Sequence, residues 1–380
     1  MPDLPDYRPL AARYAEPLTR FIADLVRIRS VNGADPEAAV AERIIAEAER
    51  LGFAARLITK DPARPNALVE WGSGERGFAI IAHIDTVAEG DHTAWKHGPF
   101  SAEIDGGRMY GRGAADNKAG VACGLYTLAL LRDHGLLDPV RVRVVVAGVV
   151  DEESGASSTL GVRYLLDQGC LPVQGAIYAY ASDIVCIGHR GLLRLILRAQ
   201  GQAIHSGSPE WSRGQGGVNA VTGLAEALLR LEALHVPAPE HPAFVGLGCR
   251  ITPGTVFHGG QFESMVPASA EALVDVRLMP GQSADDVLTQ VDAILAEVMA
   301  GRPGLSLDYA IKNNLPAAAI PADHPLAETA GRYARAYTGA PWPVEGAGPA
   351  NEGYMLIGAG IPTLPGFGPT GGSAHAPDEW

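Results

Sequence analysis

IIAHIDTVAEGDHTAWKHGPFSAEIDGGRMYGRGAADNK, running from Ile80 to Lys118, places an imidazole and two carboxylates at the ends of neighbouring elements. The apolar run Phe78 to Ala82 has strand composition and leads straight into His83-Ile84-Asp85. Residues two apart on a strand share a side, so His83 and Asp85 can act as a pair. A metal-ligating histidine needs its second ring nitrogen held by an acceptor, commonly a carboxylate. Gly111-Arg112-Gly113 reads as a tight turn, and Asp116 stands at the mouth of a helical segment. Taken singly, His83 reads as a satisfied buried histidine and Asp116 as a helix cap. Taken together with the acids downstream, they read as a metal-ligand cluster.

Outward from that stretch, periodicity sets the frame. Helical spacing covers Leu18 to Arg27, Ala38 to Leu51 and Lys118 to Arg132, and a further helix starts over Gly161 to Leu166. Strands are predicted at Asn66 to Trp71, Arg141 to Val150 and Ala176 to Tyr180. This alternation predicts an α/β fold with a mostly parallel sheet covered on both faces. Function in such sheets sits beyond the carboxyl ends of the strands, where His83, Glu152 and Glu153 fall. The pattern then changes. Strands at Leu192 to Ala199, Gly248 to Phe257, Ala270 to Leu278 and Leu305 to Ile311 alternate with helices at Gly217 to Leu234 and Asp285 to Met299. That order is βαββαβ, a ferredoxin-like sandwich inserted over residues 191–311. Residues 1–190 and 312–380 then form the catalytic, metal-binding domain, with a helix at Pro325 to Tyr337 and a strand at Ile361 to Gly366.

Composition excludes several classes. In 380 residues, 47% are hydrophobic and 19% charged, which suits a globular chain. A formal net charge of -13 disfavours a nucleic-acid or anionic-membrane surface. The four cysteines, Cys123, Cys170, Cys186 and Cys249, show no CxxC spacing and read as reduced thiols of a cytoplasmic protein. The opening MPDLPDYRPL lacks the apolar core of a signal peptide, and no stretch approaches a membrane span.

The chemistry rests on His83, Asp116, Glu152, Glu153 and His375. Adjacent glutamates after a buried strand face different ways. One can ligate a metal while the other serves its water as general base.

The motifs HxD (His83 to Asp85), WxxxPF (Trp95 to Phe100), YGRGxxDxK (Tyr110 to Lys118), DEExG (Asp151 to Gly155), GHRG (Gly188 to Gly191, a turn), HSGxP (His205 to Pro209) and HxPDE (His375 to Glu379) together resemble one family. It is the zinc-dependent amidohydrolases of peptidase family M20, which includes acetylornithine deacetylase, succinyl-diaminopimelate desuccinylase, aminoacylase and glutamate carboxypeptidase. The resemblance implies a two-zinc site, with cobalt or manganese as alternative metals. Asp116 would bridge, Glu153 and His375 would complete one metal, and His83 would belong to the other, oriented by Asp85. Glu152 would be the general base and later the proton donor. His205 would stabilise the oxyanion in a partner subunit's site, which implies a homodimer through the inserted domain. Arg277 would bind a substrate carboxylate.

Three departures stand against the family pattern. Tyr180 occupies the place of the third ligand of the His83 metal, and Asp183 is the only acid close by, so one firmly bound metal is expected. Ser264 precedes Met265-Val266-Pro267 where the family has Asn. Relatives continue past the HxPDE run into a further helix, so either the C-terminus is short or the sequence is truncated. The expected function is metal-dependent hydrolysis of an amide bond in a small N-acyl amino acid or short peptide. The alternatives are a relative that binds such a ligand without hydrolysis, or one that transforms it differently.

Overall fold

A computed structural model of the chain describes residues 4–155 and 159–380, so residues 1–3 of the N-terminal stretch read above lie outside the described residues. The chain forms two compact units. One comprises Met1–His189, Ala319–Ala347 and Asn351–Trp380, the other Arg190–Ala318 with Gly348–Ala350.

The first unit opens with helices Arg8–Ala11 (α1), Ala15–Arg27 (α2) and Ala38–Arg50 (α3). Strands Ala54–Ile58 (β1), Asn66–Trp71 (β2) and Arg76–His83 (β3) follow, then a small hairpin, Glu103–Asp105 (β4) with Arg108–Tyr110 (β5). Helix Lys118–Asp133 (α4), strand Val142–Val149 (β6), helix Val162–Asp167 (α5) and strands Ala176–Tyr178 (β7) and Val185–His189 (β8) complete this part. Glycine lets α4 lie close on the sheet. A Cβ at Gly124 would sit 2.8 Å from Ile80 Cγ2, and one at Gly120 only 2.1 Å from the Ala179 carbonyl oxygen. The GHRG run is not a turn, because Gly188 and His189 belong to strand β8 and Gly191 starts the next strand.

The second unit runs Gly191–Gln200 (β9), Pro209–Ser212 (α6), Ala220–Glu232 (α7), Arg250–Gly259 (β10), Ser269–Leu278 (β11), Ala284–Gly301 (α8) and Ser306–Leu315 (β12). Its sheet has the order β10-β11-β9-β12 and is antiparallel at every pairing. Leu193, Leu195 and Leu197 of β9 pack with Leu224 and Leu231 of α7 and Val287, Val291 and Leu295 of α8. Ser283 and Asp286 close a capping box that starts α8.

The short strand Ala318–Ala319 (β13) spans the return to the first unit, and the chain then adds Pro325–Thr338 (α9), Val344–Ala347 (β14), Gly353–Gly358 (α10) and Thr363–Leu364 (β15). The main sheet has the order β1-β2-β6-β3-β7-β15. Pairings β3–β6, β3–β7 and β7–β15 are parallel, whereas β1–β2 and β2–β6 are antiparallel, so the sheet is mixed. The β-branched run of β6 lies at its centre and is buried along most of its length. Phe21, Ile44, Val121 and Leu125 fill one face of the sheet, and Leu68, Val145, Leu165 and Leu356 the other. Among the described residues, no helix is long and apolar enough to cross a membrane, and the four cysteines are free.

Candidate metal centre

His83 is the last residue of β3 and is fully buried. Its Nδ1 lies 2.9 Å from the Asp85 carbonyl oxygen and 3.6 Å from Asp85 Oδ1. Both are acceptors, so Nδ1 donates to them, and Nε2 is the nitrogen that would ligate a metal on giving up its proton. The Asp85 backbone, more closely than its carboxylate, therefore orients the ring. Nε2 lies 2.7 Å from Asp116 Oδ1 and 2.8 Å from the Tyr180 hydroxyl. Burial opposes charge on His83, but the hydrogen bond to Asp116, then that to Asp85, hold its pKa well above the usual imidazole range.

Asp116 lies in the loop just before α4, and the loop is firmly fixed. Gly111 and Gly113 take positive φ, and a Cβ at Gly111 would strike Val26 Cγ1 at 2.4 Å. Lys118, buried, sends its Nζ to the carbonyls of Leu25 (3.0 Å) and Ile28 (2.6 Å) at the end of α2, and burial lowers its pKa to about 7. The loop also receives the run Ser373–Trp380. Glu379 Oε1 accepts the N–H groups of Gly113, Ala115 and Asp116 at 3.0, 3.0 and 2.9 Å, and its Oε2 pairs with Arg112. That run carries His375. His375 Nε2 lies 3.0 Å from Glu153 Oε1 and 3.3 Å from Asp116 Oδ2. Its hydrogen bond to Asp116, then that to Glu153, raises its pKa to about 10.

Glu152 and Glu153 occupy the single turn after β6. The buried Asp85 carboxylate accepts both of their backbone N–H groups, at 3.3 and 3.0 Å. It accepts Asn32 Nδ2 as well, at 2.7 Å, and Asn32 reaches Asp151 Oδ1 at 3.1 Å. Arg64 joins Asp151 (2.9 Å) to the buried Glu37 (2.6 Å). This network holds Asp151 at φ 69°, a left-handed conformation that costs a non-glycine residue about 1 kcal/mol or more. Burial pushes the Glu152 carboxyl well above the usual carboxylate range, although the His83 charge opposes it.

The structure thus brings His83, Asp85, Asp116, Glu152, Glu153 and His375 together. Donor atoms of His83, Asp116 and Glu153 lie within 4.8 Å of one another, with His375 touching two of the three. Imidazole nitrogens beside carboxylate oxygens suit zinc and related divalent ions. Tyr180 lies just past the end of β7, not on the strand as predicted, and its hydroxyl meets His83 Nε2. Burial, then the Asp116 charge, raise its pKa far above the usual phenol value, so it stays protonated. Asp183 is exposed and is not part of the converging group among the described residues.

Two expected residues lie in the second unit. His205 is exposed and its Nδ1 accepts the Gly207 N–H at 3.0 Å. Arg277 pairs with Asp275, Nε to Oδ1 at 2.8 Å, and Arg194 shares the same carboxylate at 3.1 Å. A substrate carboxylate would have to compete with Asp275 for Arg277. Asn32, Arg64 and Glu379 also support the centre, and none was singled out from the sequence. For Glu379 the signal was its place in the HAPDE run. The other two have no local signal, because the groups they meet are remote in sequence.

Known proteins share this framework. The description Peptidase family M20/M25/M40 matches residues 79–380. A probable succinyl-diaminopimelate desuccinylase from Staphylococcus epidermidis is 26% identical over 342 residues, covering 84% of this chain and 80% of its own length. An acetylornithine deacetylase from Vibrio campbellii is 27% identical over 311 residues, covering 80% and 79%. The crystal structure of an M20 family metallo-carboxypeptidase from Sulfolobus solfataricus superimposes with a TM-score of 0.77 at 19% identity, covering 95% of this chain and 94% of that one.

Proposed function

The chain belongs to peptidase family M20/M25/M40 and is a metallohydrolase of amide bonds, and from that premise we propose that it cleaves the amide of a small N-acyl amino acid or short peptide. The observation that carries this reading is the convergence of His83, Asp116 and Glu153, with His375 against the last two and Glu152 next to Glu153. The residues that would hold the metal are Asp116, Glu153 and His375, with His83 on the far side of Asp116. When bound, a divalent ion lowers the pKa of water toward neutrality and polarises the carbonyl. Its charge would also bring the Glu152 carboxyl down from its raised value, readying it as a base. Glu152 takes the proton of the attacking water and passes it to the leaving amine. Asp85, holding the N–H groups of both glutamates, keeps base and ligand in register.

Tyr180 supports a reading of one firm metal. A protonated phenol is a poor zinc ligand, and its hydroxyl already meets His83 Nε2. His205 is proposed as the oxyanion donor supplied by a second copy, which makes the working enzyme a homodimer. Arg277 is proposed for the substrate carboxylate.

A screen of N-acetyl and N-succinyl amino acids and of dipeptides, with zinc, cobalt or manganese added to metal-free protein, tests the reading. Metal-dependent release of free amine is the expected result. Saturable binding of these compounds with no product under any of the metals would replace hydrolysis by the binding-only reading.

A further inference from the structure

We infer that Glu379 is a positioning residue for the metal centre: it locks the run that carries His375 onto the loop that carries Asp116, so that two ligands arrive as one unit. The inference rests on the metal reading above.

The run Ser373–Trp380 is wound against its own backbone preference. Ser373, His375 and Asp378 take φ of 58°, 64° and 54°, all in the left-handed region, where a non-glycine residue persists only if its surroundings over-determine it. The described contacts supply that restraint, and those of Glu379 converge on the Asp116 loop. Glu379 is fully buried, and besides the three N–H groups and Arg112 its carbonyl oxygen accepts Gly111 N–H at 2.8 Å. Asp378 Oδ1 accepts the N–H groups of Lys96 and His97 at 2.9 and 3.0 Å. The Arg108 guanidinium lies over the Trp380 ring at 3.9 Å. His375 itself is exposed, and the hydrogen bonds of its ring are those to the ligand carboxylates. Its place is therefore set from residues 378–380 backward, and Glu379 is the fully buried member of that anchor.

The Asp116 loop has supports of its own. Arg112 N–H donates to Pro99 O at 2.7 Å and Lys118 N–H to Gly113 O at 3.0 Å, and the Lys118 ammonium grips α2. Loss of the Glu379 contact should therefore fall mainly on His375. Glu379→Gln keeps the side-chain length but sets an amide N–H₂ against Arg112 or the loop N–H groups, which are all donors.

The test measures zinc affinity of metal-free protein by competition with a chromophoric chelator. It compares the native chain, Glu379→Gln, His375→Ala and the double variant, each checked for folding by circular dichroism. Removal of a group that orients a ligand costs about 10- to 100-fold in metal affinity, and that loss is expected for Glu379→Gln. In the His375→Ala background the same substitution should cost less than about threefold, because coupled residues are not additive. A folded Glu379→Gln protein with native affinity, or equal losses in both backgrounds, overturns the inference while leaving the metal reading intact. If His375→Ala itself binds zinc as well as the native chain, the metal assignment fails and the inference with it. Should Glu379→Gln not fold, Asp378→Ala carries the same expectation through the Lys96 and His97 anchors, and native affinity there overturns it.

Discussion

At the scale of single residues, the proposed centre divides into a base, a set of ligands and a phenol. Glu152→Gln should lower turnover by about 100- to 10,000-fold and leave metal content unchanged. Rates on the best substrate of the amide screen, with metal analysis alongside, check this; near-native turnover would remove Glu152 from its role. Tyr180→Glu should raise bound metal from about one per chain toward two, while Asp183→Ala should change little. Metal analysis after dialysis reads both, and loss of a metal in Asp183→Ala would reverse the assignment. His83, Asp116, Glu152, Glu153 and His375 were legible in sequence because each ends an element or sits in a short motif. Asn32 and Arg64 were not. Asn32 meets Asp85 53 positions away and Arg64 meets Asp151 87 positions away, and a lone Asn or Arg in a polar loop has no periodicity to reveal a partner.

Elements show where hydrophobic pattern suffices and where it does not. Strand β6, a β-branched run, was predicted within a residue at each end. Strand β12 was predicted to stop at Ile311 but continues to Leu315, because its register shifts between Ile311 and Asn313. The bulge breaks the alternation, and the polar run Lys312-Asn313-Asn314 then reads as loop. Strand β15 is shorter than predicted, since the apolar run from Ile361 to Gly366 contains two prolines. Helix α3 supplies a test of stability. Glu47, buried, takes Arg50 Nη2 at 2.5 Å, Tyr126 Oη at 2.5 Å and Arg43 Nη1 at 3.0 Å. Burial acts to raise its pKa, but these hydrogen bonds win and lower it from 4.5 to about 2. A depressed carboxylate contributes stability that is present above its unfolded value and lost as pH falls toward the folded one. Between about pH 5 and pH 2 the native chain should therefore lose on the order of 2 kcal/mol more than Glu47→Gln, allowing for screening at the exposed Arg50. Urea titrations across that window measure it, and parallel pH profiles for the two proteins would refute it.

At the scale of the whole molecule, the alternation of elements in residues 1–190 and the βαββαβ order that follows were both readable, because each is written in local periodicity. Strand polarity was less so. β2 joins β6 antiparallel and β1 joins β2 antiparallel, and no local pattern records those directions. Assembly into a dimer is proposed, and complementation tests it. Glu152→Gln protein mixed with His205→Ala protein should regain up to about one quarter of native activity, since a two-fold mixed dimer holds one unimpaired centre. Verified subunit exchange without recovery, or an active monomer, would count against a shared centre. The separation of the donors along the chain has a temporal side too. His375 follows Glu153 by 222 residues. A ribosome adding roughly 5 to 20 residues per second needs about 10 to 45 s to cross that gap. During that time the nascent chain already displays His83, Asp116, Glu152 and Glu153, while the fourth donor and its Glu379 anchor have yet to be translated. The proposed ligand set would then be complete only once His375 and its Glu379 anchor have been made, so nascent chains stalled short of His375 should bind zinc more weakly than chains that carry it.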